Sequence, residues 1–357
     1  MAEKSQHMKR IARSVLNWLC AFLAFALVCA AVGRFFPQKV SGVSLKEERF
    51  REQRKRIDIL FVGSSRVFHG ISPKVFDRTL HAAGRPWHSF NAGVDAMNPA
   101  EGFALVRRLL ALDPSRLKYI FFEFQSDPGA GTPIRDDLVR ERDVYWRDWD
   151  SVLAGIRKFA LGVSSPLTSS LGDKFSLGRL TYFGPLLSAD LRLWVRNVTH
   201  LGSGFSIVER AFGGHPAKAK ELDMPRQWNG YFPMSKPMTG KILSNYRKSF
   251  QDLQDHPVKR LPDLVMRGQL SRFARLMAAK NIRVIFLLPP SVIGNPGDEI
   301  NAPQGSLLLA YDNLDRYPQF YAEENRLDGW HLNARGADLF SQKLAEDFIR
   351  ALDSSDR

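Results

Sequence analysis

Residues 57–72 read Ile57-Asp58-Ile59-Leu60-Phe61-Val62-Gly63-Ser64-Ser65-Arg66-Val67-Phe68-His69-Gly70-Ile71-Ser72. Residues 57–62 form a nearly uninterrupted apolar run of strand length, and Gly63 ends it where the backbone must turn sharply. Two serines therefore emerge at the carboxyl end of a strand, which is where open α/β sheets carry their chemistry. Ser64 or Ser65 is the candidate nucleophile, and the rest of the chain must then supply a base, an orienting acid and oxyanion donors.

The pattern on either side predicts alternating strands and helices. Ser72-Pro73 has the form of a helix N-cap followed by proline at the first helical position, with Val75, Phe76 and Leu80 on one face and Gly84 at the end. Residues 87–92 read as a second strand ending in Asn91-Ala92-Gly93. Pro99 opens another amphipathic helix, stopped by Asp113-Pro114, and residues 117–124 form a strongly apolar third strand. Beyond residue 262 the rhythm returns, with a helix at 264–279 and a fourth strand at 282–288 that ends at Pro289-Pro290. After a loop with Gly294, Pro296, Gly297 and Pro303, the spacing predicts a helix near 305–315 and a short fifth strand at 320–323. A last amphipathic helix follows Asp328-Gly329-Trp330-His331-Leu332-Asn333 and runs to about Leu352. Such alternation predicts an α/β fold built from parallel βαβ units.

Residues 128–262 break this rhythm. Helical patches near 148–160 and 241–254 predict an insertion with mainly helical structure of its own, since a structureless loop of that length is uncommon. Its tryptophans, among them Trp146, Trp149, Trp194 and Trp228, read as core residues ahead of a ligand platform.

Ahead of residue 57 the chain has a different character. Residues 14–33 are 20 positions without a charge, bracketed by Arg13 and Arg34, about the length that crosses roughly 30 Å of hydrocarbon. The reading is a retained membrane anchor, with residues 1–13 cytoplasmic and 34–56 a basic juxtamembrane linker. A cleaved signal peptide and a buried core helix are the alternatives. Flanking positive charge falls on both sides and selects no orientation, while a long following domain crosses largely regardless of such charges.

The net charge of +14 is unevenly placed: residues 1–56 hold 12 Lys or Arg against 4 acidic residues, a surplus of +8, which leaves +6 for the other 301. That distribution suits anionic lipid headgroups and argues against nucleic-acid binding, as no basic, aromatic-interleaved domain is present. Both cysteines, Cys20 and Cys29, lie in the apolar segment, so the main domain has neither a disulfide framework nor a thiolate nucleophile. No spacing calls for a metal or an organic cofactor.

Asp328 and His331 supply the missing chemistry. Three residues apart ahead of a terminal helix, they set a carboxylate against one imidazole nitrogen and leave the other for a serine. An isolated Asp-x-x-His more often caps a helix, so its company matters.

Gly63-Ser64-Ser65-Arg66, Asn91-Ala92-Gly93 and Asp328-Gly329-Trp330-His331 resemble blocks one, two and five of the SGNH/GDSL hydrolase superfamily. The resemblance covers about 57–127 and 264–352 and implies a three-layer, flavodoxin-like parallel sheet spanning 57–352, interrupted by the insertion. It implies Ser65 as nucleophile, with Ser64 in the place of the family's aspartate, and the catalytic partners His331 and Asp328. It also implies an oxyanion hole from the backbone N–H groups of Ser65 and Gly93. The family's third donor, an asparagine, is absent from Phe122-Glu123-Phe124-Gln125-Ser126-Asp127, which leaves the hole either incomplete or completed by Gln125 or Asn98.

Together with the anchor, Gly-Ser-Ser-Arg resembles the exported proteins that work beside membrane-bound O-acyltransferases, the teichoic-acid D-alanyl-transfer and alginate acetylation proteins among them. That implies a single-pass protein of the bacterial inner membrane with a periplasmic or extracellular domain. Its activity would be serine acyltransferase or carbohydrate esterase, placing or removing an acyl group, often acetyl, on an envelope or exported polysaccharide. Partners would be that glycan, membrane lipid and an O-acyltransferase. Arg66 reads equally as a contact to an anionic glycan and as a structural ion-pair partner. A catalytically weak scaffold that binds a glycan or the acyltransferase is the competing class, and a plain periplasmic lipase or thioesterase is a third.

Overall fold

The computed structural model describes residues 2–35, 42–125, 141–161, 177–199, 227, 229–255, 264–292, 303 and 306–355. Ser126, Asp127, Trp228 and the loop glycines 294 and 297 lie outside them. The chain divides into two compact units.

One unit comprises Met1–Ser41, Pro133–Ala160 and Asp173–Glu221. Its first helix, α1 (Ala2–Phe35), contains the stretch Arg10–Ala31, long and apolar enough to cross a membrane and largely exposed. The others among the described residues are α7 (Trp149–Leu161), where a helical patch near 148–160 was expected, and α6 (Glu141–Tyr145) and α8 (Leu177–Thr199), neither of which the sequence pattern flagged. Arg147 pairs with Asp190 between α6 and α8 and lies over the buried Trp146 ring at 3.9 Å. Trp149 and Trp194 pack against each other at 5.1 Å, but Trp149 is half exposed and is not the core residue expected.

The other unit holds the sheet, in which β1 (Ile59–Val62), β2 (Ser89–Asn91), β3 (Tyr119–Glu123), β4 (Arg283–Leu288) and β5 (Leu307–Ala310) are all parallel. The strand order is β2-β1-β3-β4-β5, so the chain leaves β1 on one side for β2 and returns on the other for β3. Crevices at such a reversal, at the strands' carboxyl ends, are where open α/β sheets take ligands.

Apolar side chains alternate to both faces of the sheet. On one face Phe61 meets Phe76 of α4 (Pro73–Ala82) at 4.9 Å, and Phe121 meets Phe348 of the last helix, Ala334–Ser355, at 5.1 Å. On the other, Phe122 stacks on Phe103 of α5 (Pro99–Leu110) at 4.9 Å and meets Phe273 of the helix Leu264–Ala278 at 5.0 Å. Helices on both faces thus bury a near-continuous apolar strand set, at about 1.5–3 kcal/mol per fully buried large side chain. Ser72 precedes α4 as expected; its side chain makes no cap, while its N–H donates to Ser341 of the last helix at 2.8 Å. Gly84, at φ +76°, ends the turn after α4.

Four expectations about these elements are corrected. The predicted helix near 305–315 is instead strand β5: Leu307-Leu308-Leu309-Ala310 carries no polar face to set a period, and its pairing with β4 decides its state. The predicted strand at 320–323 is a pair of 3₁₀ turns, Pro318–Phe320 and Glu323–Asn325, which seat Phe320 against Phe340. The basic segment 46–56, expected to be a solvated helix or linker, lies largely in the helix α2 (Val43–Gln53), which is not solvated all round: its Val43, Lys46 and Phe50 are buried in the sheet-bearing unit. Likewise the helix α9 (Gly240–Asp255), expected within the insertion, belongs to the sheet-bearing unit, where Tyr246 donates to the carbonyl of Tyr321.

Candidate active site

The chain turns at Gly63, where nothing larger than glycine fits. A Cβ there would lie 2.6 Å from the Cβ of Glu123 and from Cγ2 of Val67. The backbone then enters a single helical turn, α3 (Ser65–Phe68), with the Ser64 carbonyl accepting from Val67 and Phe68 at 3.0 and 2.9 Å. Ser65 heads that turn, so its N–H has no intrahelical acceptor.

The other end of the domain comes to meet it. The Ser65 hydroxyl donates to Nε2 of His331 at 2.7 Å, across 266 positions of sequence. His331 Nδ1 donates to Asp328, with both carboxylate oxygens at 2.9 Å. A carboxylate at that nitrogen keeps the proton on Nδ1 and leaves Nε2 to accept from the serine.

The loop that presents Asp328 and His331 is itself tied down. Asp328 Oδ1 accepts from the N–H groups of Trp330 and His331 at 2.7 and 2.8 Å, while Leu327 donates to the His331 carbonyl at 2.9 Å. Partial burial works against the charged form of Asp328, but the His331 ring and these two N–H groups outweigh it and hold the carboxyl below its usual range. Behind the loop, fully buried Arg326 donates to the carbonyls of Asp328, Gly329 and Pro290 at 3.2, 2.9 and 3.2 Å. Burial lowers its affinity for a proton, and the carbonyl acceptors compensate the charge.

The expected oxyanion donors are placed less simply. Gly93 lies at the turn after β2, with no room for a Cβ, which would sit 2.7 Å from the Phe68 nitrogen. Its N–H donates to the side-chain oxygen of Asn91 at 2.9 Å. The Asn91 amide in turn donates to the carbonyls of Val67 and Ile71 at 2.8 Å each, which fixes this turn to α3. Gln125 donates from Nε2 to Glu123 at 2.8 Å and to the Met97 carbonyl at 3.2 Å, which occupies both amide hydrogens. Asn98 caps α5, accepting from Glu101 at 2.9 Å.

No protein-family model matches this chain, and neither does any curated protein searched.

Of the two readings of Arg66, the structure places it in an ion pair: Nε lies 2.7 Å from Glu123, and the carboxylate is almost fully buried. Glu123 also accepts from the Ser64 hydroxyl at 3.1 Å and from the Ser64 N–H. Its signal in the sequence was a lone acid within the apolar run 119–124. His69, buried beside Ser65's helix, sets Nδ1 at 2.8 Å from the Phe232 carbonyl and Nε2 at 3.0 Å from Asp95, with its ring 6.1 Å from that of His331. Nothing local in the sequence marked His69, Arg326 or Lys46, because their partners lie in distant segments.

Proposed function

We propose that the chain is a membrane-anchored, SGNH-like serine acyltransferase or esterase acting on a cell-envelope or exported polysaccharide. The observation that carries this reading is the continuous hydrogen-bonded line Ser65–His331–Asp328 at the carboxyl end of the sheet. The parallel order β2-β1-β3-β4-β5, with the serine after β1, supports a flavodoxin-like member of that superfamily. The apolar helix α1 supports the anchor, and an exported domain at the inner membrane follows from the resemblance.

In this mechanism the Ser65 oxygen bonds to the acyl carbon while its proton passes to Nε2 of His331. The carbonyl electrons collect on oxygen near the Ser65 N–H, then return as the bond to the leaving oxygen breaks and His331 gives that oxygen the proton. A glycan hydroxyl, or water in an esterase, then attacks acyl-Ser65 by the same steps, with His331 taking its proton and returning it to Ser65. Asp328 stays ionised and stabilises the imidazolium. A serine-directed fluorophosphonate should label the detergent-solubilised chain, and labelling that survives Ser65→Ala unchanged would overturn the assignment.

A second reading, a catalytically weak scaffold that binds a glycan or an O-acyltransferase, draws on the prior engagement of the Gly93 N–H and the Gln125 amide. Complementation of a deletion strain separates the two: a scaffold tolerates Ser65→Ala and His331→Ala, and an enzyme does not.

A further inference from the structure

Glu123 ends β3, the only acid in the run 119–125, and is almost fully buried. A lone carboxylate in such a place is costly unless every oxygen is matched by donors. Here four donors converge on it: the Ser64 N–H, the Ser64 hydroxyl, Arg66 Nε at 2.7 Å and the Gln125 amide at 2.8 Å. Three of the four come from the residues on either side of Ser65.

On the reading that Ser65 is the nucleophile, we propose that Glu123 is its positioning residue, an anion beneath the turn that holds residues 64 and 66 and so sets the direction of the Ser65 hydroxyl and N–H. Glu123 acts through these neighbours and touches no reacting atom. The arrangement needs the charge and not only the shape. Glutamine is the same size, but its amide NH₂ would face either the Ser64 N–H or Arg66 Nε, donor against donor, and one buried donor would lose its acceptor. Position 64, aspartate in the Gly-Asp-Ser pattern, is serine here, and this fits the same logic. A carboxylate on residue 64 would confront the one already supplied from β3, and like charges at that distance cannot both ionise freely. Gly63 completes the arrangement, since any side chain there would displace Glu123.

The test is a cycle of Glu123→Gln, Ser64→Asp and the double variant in the full chain in detergent. It reads p-nitrophenyl acetate hydrolysis, the rate of fluorophosphonate labelling and the melting temperature. Each single variant should lower kcat and the labelling rate by about tenfold or more, with KM within about twofold, because only the nucleophile's orientation is disturbed. The double variant, which returns one carboxylate to the turn opposite a neutral amide, should recover most of that loss. Wild-type rates in Glu123→Gln, or losses that simply multiply in the double variant, would overturn the proposal. If Glu123→Gln does not fold, Ser64→Asp alone decides it, since a neutral outcome there shows that no buried anion faces the turn. If the wild type itself fails to label, the catalytic reading fails. The cycle read on melting temperature then still decides where the anion sits: a double variant more stable than either single one sustains it, and additive losses end it.

Discussion

Lys46 Nζ donates to the backbone carbonyl of Asn91 at 2.8 Å. The bond runs from the helix just after the apolar N-terminal segment to the end of β2, where the Asn91 side chain holds Gly93 and α3. The same amine donates to the Gly230 carbonyl and lies 4.0 Å from the centre of the Phe68 ring. Complete burial lowers its pKa well below the usual lysine range, with Asp95 opposing. A lysine kept there despite that cost makes α2 part of the site's support.

The domain accordingly begins at α2 and not at β1. Phe50, fully buried and 5.5 Å from Phe90, should prove its anchor: Phe50→Ala is expected to lower unfolding stability by about 3–5 kcal/mol in denaturant titrations. A loss under about 1 kcal/mol would mean that α2 is dispensable.

Asp328→Asn should leave the loop folded, because an amide oxygen still accepts from Trp330 and His331. It removes the carboxylate that holds the Nδ1 proton, so the labelling rate of Ser65 should fall by about 10³–10⁴ with little change in melting temperature. Since the Asp328 carboxyl sits below its usual range, the wild-type rate should show no loss from Asp328 protonation near neutral pH.

Gly63→Ala tests the close approach of β1's end to Glu123. A Cβ 2.6 Å from two neighbouring carbons forces the turn apart, and a cost of about 1–3 kcal/mol with loss of labelling is expected. Calorimetry together with labelling would detect a variant that tolerates the methyl group.

Away from the site, Asp77 of α4 accepts from the Ser89 N–H and hydroxyl, and burial pushes its carboxyl up to about 7 from 3.8, against the pull of Ser89 and His81. Between those two values the folded chain holds a proton that the unfolded chain has released. This contribution to stability is therefore fully present below about pH 4 and is lost as pH rises through about 7, at roughly 1.4 kcal/mol per unit. Asp77→Asn, which keeps an acceptor for Ser89, should flatten melting temperature against pH over that window.

Legibility followed the range of the physics. Strands β1, β3 and β4 were readable because residues buried on both faces leave nearly unbroken apolar runs, β2 because a short segment ends at the turn Asn91-Ala92-Gly93, and α4 and α5 because proline and an apolar stripe mark them. Strand β5 was not readable, because a run of leucines suits either helix or strand and only its neighbour β4 chooses. Helix α2 was read as solvated because its charges dominate its sequence, although Lys46 is one of the residues it buries. The triad residues were legible as residue types at strand and helix ends. The support from Glu123, Arg326 and Lys46 was not, since each acts on backbone groups supplied by other segments.

By itself, the sequence determined the alternation of buried strands and amphipathic helices, the apolar N-terminal helix, and a serine placed where the chain must turn at Gly63. Those features follow from local periodicity and from the conformations that glycine and proline allow. Only the tertiary structure decided that the Ser65 hydroxyl reaches His331, where each oxyanion candidate spends its hydrogen bonds, and that Arg66 answers a buried carboxylate. Such outcomes depend on how parallel strands register across 266 positions, and on which donors and acceptors remain to be matched once water has been excluded.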